Sequence, residues 1–125
     1  MLKIYKLMNK EEHIGYILRD TSLLKCHAMR FENVKQYPLG MFGFSNRLEV
    51  PHQDVIDYLD SIVPPADRDN IREILDLLEI PQYDKWTIYE KMKGKNAKDY
   101  SHLIFEEETD ETIEEAVQRL QRSTL

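Results

Sequence analysis

The sequence predicts an α+β domain in which a small antiparallel sheet of four or five strands is covered on one face by three short helices. A C-terminal acidic helix is expected to follow. Two observations predict this class. Runs of alternating apolar and polar residues fill the first quarter of the chain and return near residue 100. Apolar residues at helical spacing, interrupted by prolines, fill the middle. A length of 125 residues suits one domain with one core.

The first two strands are predicted from Leu2 to Met8 and from His13 to Arg19. Both runs are rich in isoleucine, leucine and tyrosine, and four polar residues lie between them, which is typical of a β-hairpin. Because side chains alternate along a strand, Ile14, Tyr16 and Leu18 are expected on one face. The hairpin therefore predicts the antiparallel start of the sheet.

A third strand is expected from Leu24 through about Phe31, which completes a meander with one face free for helices. The apolar run from Tyr37 to Phe44 contains one proline and two glycines. It fits either an irregular edge strand or a packed loop. Phe42 and Phe44 are expected in the core in both cases.

Two helices are predicted around the Pro64-Pro65 dipeptide. The first begins near Pro51 and ends before Pro64, because a proline disfavours helical geometry in the residue before it and has no N–H to donate. The second is expected from about Asp67 to Glu79, with Asp67 as its N-cap. The apolar residues expected to face the sheet recur at helical spacing: Val55, Ile56, Leu59, Ile62, Ile71, Ile74, Leu75 and Leu78.

A third, shorter helix is predicted after Asp84, which can cap it, and ends at Gly94. It contains Trp86, the only tryptophan, toward the edge of its apolar stripe. Two interpretations stay open. Trp86 packs on Tyr83 and Tyr89 under the helices, which we favour, or its indole is a partly exposed anchor for a protein partner.

The end of the chain is predicted to be a strand followed by an acidic helix. Residues from Tyr100 to Phe105 alternate as a strand does. Seven of the ten residues from 106 to 115 are acidic, and they are expected to open the helix. We therefore assign 1–105 to the α+β domain and 106–125 to the acidic C-terminal helix. The acidic run fits either a solvated helix face or a docking element for a basic partner.

Composition and charge exclude several classes of protein. The net charge of −6 disfavours direct binding to a phosphate backbone. One cysteine, Cys26, permits no internal disulfide and suits a reducing compartment, where we expect it to be a packed strand residue. The first eight residues are too short and too rich in lysine for a signal peptide, and no apolar run is long enough to cross a bilayer. A cytoplasmic location is expected.

Motifs of catalysis are not found. The four glycines are scattered and form no phosphate-binding loop. The single cysteine excludes the common cysteine-rich zinc sites. The four histidines, His13, His27, His52 and His102, show no ligand spacing. Those on the predicted strands, His13, His27 and His102, are expected to be half-exposed. We therefore expect no catalytic residue, no metal and no cofactor.

The order of elements resembles the small N-terminal subdomain of HipA-type serine/threonine kinases from toxin–antitoxin systems. The matching parts are an opening strand pair, an apolar segment with proline and leucine, a helix ending in a proline turn, an arginine before a further helix, and a turn into a short helix. In this sequence these parts are Ile4 to Leu18, Tyr37 to Leu39, Tyr58 to Pro65, Arg68 to Ile71, and Tyr83 to Trp86. The resemblance covers roughly residues 2 to 105 and is carried by element order, since no short motif is diagnostic.

The resemblance implies a binding protein and not a kinase. The family's ATP-binding loop, catalytic aspartate and metal ligands lie in parts that this chain does not contain. A small stand-alone version of the subdomain would act as an antitoxin or accessory subunit that binds and regulates a HipA-like kinase. The surface expected to contact that partner comprises Pro64, Pro65, Arg68, Arg72, Tyr83 and Trp86. Both arginines are also expected to pair with nearby acids.

A second hypothesis follows from the acidic composition. The chain could be an inhibitor, phage-encoded for example, that mimics nucleic acid and blocks a basic nuclease or DNA-binding protein. An enzyme that uses converging histidines is a more distant third hypothesis.

Overall fold

The structure is a computed structural model and describes residues 1–43, 47–96 and 99–123. Its centre is a five-stranded antiparallel sheet with the strand order β4-β3-β2-β1-β5. The strands are β1 Leu2–Asn9, β2 Glu12–Asp20, β3 Lys25–Arg30, β4 Glu49–Val50 and β5 Ser101–Thr109. The predicted α+β class, the opening hairpin and the third strand are confirmed.

A β-bulge in β2 changes which faces its side chains occupy. The register between β1 and β2 shifts beside Ile14, which has no partner on β1. Ile14 therefore lies in the same core as Ile17, whereas Tyr16 and Leu18 lie in the core on the other face of the sheet. The expectation that Ile14 shares a face with Tyr16 and Leu18 is wrong.

Helices cover the first face of the sheet, as predicted. They are α2 His52–Ile62, α3 Ile71–Leu77 and α4 Lys85–Lys91. Val55 and Leu59 of α2, Leu75 of α3, and Ile88 and Tyr89 of α4 are buried against the strands. Burial of each such large apolar side chain stabilises the folded state by about 1.5 to 3 kcal/mol. The main core therefore lies on this face of the sheet.

The predicted start of the second helix at Asp67 is wrong. Residues 66 to 70 form turns, in which the Arg68 N–H donates to the Pro65 carbonyl and the Ile71 N–H donates to the Arg68 carbonyl. Asn70 occupies the N-cap position of α3 without a side-chain capping bond. These bonds join residues three apart, and the spacing of four that defines an α-helix begins only where the Ile74 N–H donates to the Asn70 carbonyl, so the helix begins later.

The segment before β4 contains a short helix, α1 Leu39–Phe42, where the sequence left an edge strand or a packed loop open. Phe42 is fully buried, as expected. Phe44 lies outside the described residues.

The C-terminal part differs from the sequence prediction. β5 continues to Thr109, and the last helix, α5 Ile113–Ser123, begins only after the acidic strand residues. The acidic run therefore does not open a helix at Glu106, and the boundary between 105 and 106 falls inside a strand. α5 also covers the second face of the sheet. That core consists of Leu2, Ile4, Tyr16, Leu18, Met29, Ala116, Val117 and Leu120.

Within the described ranges, no helix is both long and apolar enough to cross a bilayer.

Candidate protein-binding site

The turn after α2 places the candidate site at the outer side of the helical layer. Val63 ends the helix with its N–H donating to the Leu59 carbonyl at 2.9 Å, and its side chain is buried. Pro64 is then half-buried and Pro65 exposed. We call Pro64, Pro65, Arg68, Arg72 and Tyr83 the junction surface. A buried residue at its start and two rigid prolines fix the path of the backbone there.

Arg68 and Arg72 are the exposed cations of the junction surface. Arg68 lies in the turn and Arg72 in the first turn of α3, so they are not on one continuous helix. Within residues 1–43, 47–96 and 99–123, neither guanidinium forms an ion pair or a side-chain hydrogen bond. The expected pairing with neighbouring acids is wrong for this part of the chain. The nearby acids are also exposed: Asp67, Asp69, Glu73 and Asp76.

Tyr83 links the proline part of the junction surface to the residues just before α4. Its hydroxyl donates a 2.8 Å hydrogen bond to the Pro64 carbonyl, and its ring is half-buried. Burial raises the pKa of this hydroxyl, so it stays protonated and keeps donating at neutral pH. Tyr83 therefore fixes the position of Pro64 while part of its ring remains open to solvent.

The N-terminus of α4 is anchored beside the same turn. Asp84 caps it by accepting from the backbone N–H of Thr87 at 2.8 Å, as predicted. The hydrogen bond from the Thr87 side chain lowers the pKa of the Asp84 carboxyl. Lys85 forms an ion pair with Asp60 near the end of α2. These contacts hold α2 and α4 together at the junction surface.

Trp86 lies beneath this surface and not on it. Only 5% of the residue is exposed. Its ring packs edge-on against Tyr5 and Tyr89, with centroid separations of 6.2 and 5.6 Å, and the Arg19 guanidinium lies 4.9 Å from its centroid. The favoured interpretation, packing, is confirmed, although Tyr5 takes the place expected for Tyr83. The alternative interpretation, in which Trp86 is an exposed anchor for a partner, is excluded.

One residue of this region was missed by sequence reasoning. Leu77, on α3, is 83% exposed, which is unusual for a large apolar side chain. The signal was present, because Leu77 falls outside the stripe formed by Ile74, Leu75 and Leu78. It lies five residues after Arg72 and so on a different side of α3.

The structure also brings together a cysteine and a histidine that lie far apart in sequence. The Nδ1 atom of His52 lies 3.4 Å from the Sγ atom of Cys26 and accepts the Cys26 backbone N–H at 3.1 Å. Burial raises the pKa of the Cys26 thiol to about 11, so it is protonated at neutral pH. The Nδ1 atom that faces the thiol is also the acceptor of the Cys26 backbone N–H, which fixes the His52 ring against β3. The pair packs α2 on β3.

Two of the other histidines, His13 and His27, form structural contacts. His13 Nε2 lies 2.8 Å from the Gly15 carbonyl, and burial lowers the pKa of His13. His27 pairs with Glu49 across β3 and β4 at 3.0 Å. In the part of the chain that the structure describes, no three histidine, cysteine or acidic side chains are grouped so that they could hold a metal ion.

The fold is a small α+β domain whose junction surface presents the exposed guanidiniums of Arg68, before α3, and of Arg72, on α3. No protein-family model matches the chain, and neither a curated protein nor a solved structure matches it at a significant level.

Proposed function

We propose that the chain is a non-catalytic protein-binding module whose partner contacts the junction surface. The observation that supports this function is the pair of exposed guanidiniums, Arg68 and Arg72, which no described side chain neutralises. Arginine is enriched at the energetic centres of protein interfaces, because its planar fork binds carboxylates through two hydrogen bonds. A rigid turn also reduces the entropy lost when a partner binds.

The partner we propose is a HipA-like kinase of a toxin–antitoxin system, with the chain as its antitoxin or accessory subunit in the cytoplasm. The resemblance in element order supports this choice, and its matching parts include the turn that carries Arg68. The exposed guanidiniums of Arg68 and Arg72 support a contact with acidic groups of the kinase.

Co-expression with a HipA-like kinase encoded beside the chain, followed by size-exclusion chromatography, tests the proposal. We expect the two proteins to elute together. The double variant Arg68→Glu/Arg72→Glu should weaken the complex by at least about ten-fold, because two attractive contacts become repulsive. Arg122→Glu is the matched control, since this exposed arginine lies on α5 at the other face of the sheet.

Two outcomes would overturn parts of this proposal. Elution of wild-type chain and kinase as separate peaks would reject the kinase as partner. A complex that survives the double variant as well as it survives Arg122→Glu would reject the junction surface as the contact.

The arrangement of the carboxylates supports the acidic-inhibitor hypothesis less well than the exposed arginines support a protein-binding module. Glu106 lies 3.3 Å from Lys6, and Arg119 binds both Glu107 and Glu111. These pairs neutralise part of the acidic run, whereas a mimic of nucleic acid needs a row of free negative charges.

A truncation is a poor test of that hypothesis, because removing residues 106 to 125 would delete half of β5 and the helix that covers the second face. Charge reversal at the exposed carboxylates Glu108, Asp110 and Glu114 leaves the fold in place. Unchanged binding of such a variant to a basic nuclease would count against the hypothesis.

A further inference from the structure

The outer edge of β5 is open along its second half. β5 is the last strand of the sheet and pairs with β1 alone among the described strands. Its first half is closed, because the Leu103 N–H donates a 2.7 Å hydrogen bond to the Lys93 carbonyl in the α4–β5 connection. From Ile104 to Thr109 no described strand pairs with the outer edge. Unpaired backbone groups on such an edge can accept a further strand.

Large apolar side chains flank the start of this open edge. Ile104 is 46% exposed and Phe105 is 55% exposed. Phe105 packs edge-on against Tyr5 at 5.6 Å, and both rings line a groove of about 450 Å³ beside the end of α4. The groove can hold an apolar side chain from a strand that pairs with β5.

We propose that the edge of β5 from Ile104 to Thr109 binds an extended basic segment of another protein by strand addition. The charge of the edge determines this choice of occupant. Glu108 is exposed on it and forms no ion pair with a described residue, and the exposed Asp110 follows. Glu106 is exposed as well, but its carboxylate lies 3.3 Å from Lys6. A second copy of the chain would place acidic residues opposite acidic residues, which is destabilising, whereas lysine or arginine on the incoming strand would be attracted.

A bulge limits how long the added strand can be. The register between β1 and β5 shifts between Ile4 and Tyr5, which leaves Glu106 without a partner on β1. Bulges increase the local twist of an edge strand and prevent long flat pairing. The edge therefore suits one short segment and disfavours growth into fibrils. This surface is separate from the junction surface, so the inference does not depend on the proposed function.

Heteronuclear NMR of the full chain tests the inference with a short synthetic peptide of alternating lysine and valine. We expect the backbone amides from Ile104 to Thr109 to shift on titration, together with the Phe105 ring, while those of Arg68 and Arg72 stay in place. The control peptide has the same sequence with N-methyl groups on every residue, so that its charge is kept and both of its hydrogen-bonding edges are blocked. It should bind at least about ten-fold more weakly.

Several outcomes would overturn the inference. Equal binding of the N-methylated peptide would show attraction by charge alone, and equal binding of a glutamate–valine peptide would exclude the acidic edge as the basis of selectivity. Absence of binding by the lysine–valine peptide, or shifts confined to α5, would reject the site. Concentration-dependent shifts of the β5 amides without peptide would assign the edge to a second copy of the chain.

Discussion

The hydroxyl of Tyr58 donates a 2.9 Å hydrogen bond to the carboxylate of Asp99, which joins α2 to the residues that lead into β5. The same carboxylate accepts the backbone N–H of Ser101 at 2.8 Å and also binds its hydroxyl. The side-chain amide of Asn96 donates to it at 3.1 Å. Tyr58 and Ser101 are buried. Asp99 therefore fastens the entry of the edge strand to the helical layer.

Acid should weaken the domain through Asp99. Burial acts to raise the pKa of this carboxyl, but the hydrogen bonds from Ser101, Tyr58 and Asn96 outweigh it and hold the pKa below its usual 3.8. A folded-state pKa below the unfolded value stabilises the protein above the unfolded pKa, and this stability is lost as pH falls through the folded pKa. Urea unfolding should show a loss of stability as pH falls from about 5 toward 3.

The variant Asp99→Asn tests this origin of the pH dependence. It should lose about 1 to 2 kcal/mol at neutral pH and show a flatter pH profile, because charged hydrogen bonds become neutral ones. Asp110→Asn, at an exposed carboxylate that forms no ion pair with a described residue, should keep the wild-type profile. A profile of Asp99→Asn that runs parallel to the wild type would contradict the assignment.

The hydroxyl of Tyr89 should be dispensable for stability. Tyr89 is fully buried in the main core, and its hydroxyl has no hydrogen-bond partner among the described residues. Because an unsatisfied buried hydroxyl is unfavourable, Tyr89→Phe should be neutral or stabilising by up to about 1 kcal/mol in urea unfolding. Tyr58→Phe, which removes a bonded hydroxyl, should lose about 1 to 2 kcal/mol. A loss of similar size in both variants would contradict the prediction.

The sequence predicted those elements whose conformation is determined by residues close together in the chain. Alternation located the first three strands, proline chemistry located the end of α2 before Pro64, and Asp84 was recognised as a cap because its acceptor lies next to the free N–H groups of α4. In the candidate site, the same local reasoning predicted the helix end at Pro64 and Pro65, but it placed Arg68 in the following helix, which begins only at Ile71.

The features that sequence missed depend on contacts between distant elements. A strand through Glu106, Glu107 and Glu108 contradicts the low β-propensity of glutamate, yet pairing with β1 overrides that preference. Lys6 from β1 and Arg119 from α5 neutralise two of these acids. In the candidate site, packing of Trp86 was the favoured prediction, but its contact with Tyr5, a residue of another element, could not be read from helical spacing.

Gly15 should tolerate no side chain. A Cβ atom at this buried position would overlap the Met29 carbonyl oxygen and lie 2.7 Å from the Arg30 Cα, which are backbone atoms of the paired strand β3. Gly15→Ala should therefore cost about 3 kcal/mol or more. Gly43→Ala is the matched control. It meets open space and suffers only from its positive φ of 74°, so it should cost about 1 kcal/mol. Equal losses in urea unfolding would contradict the close approach of β2 and β3.

Arg68 and Arg72 should contribute little to folding. Neither forms an ion pair within the described ranges, so Arg68→Ala and Arg72→Ala should each change the free energy of unfolding by less than about 0.5 kcal/mol. Arg119→Ala is the comparison, because Arg119 joins α5 to β5 through Glu107 and Glu111. It should cost about 0.5 to 1 kcal/mol. A large loss of unfolding free energy in Arg68→Ala or Arg72→Ala would show that this arginine stabilises the fold. Such a result would count against its role in the proposed site.

The C-terminal helix should prove inseparable from the domain. Ala116 is fully buried between α5 and the second face of the sheet, beside Ile4 and Leu18. Ala116→Asp would place an unpaired charge in that core and should cost about 3 kcal/mol or more. Gln118→Asp, two residues further along α5 and on its exposed side, should cost less than about 0.5 kcal/mol. If α5 were only an appended solvated helix, both variants would unfold at the same urea concentration as the wild type, and residues 106–125 would then form a separate segment.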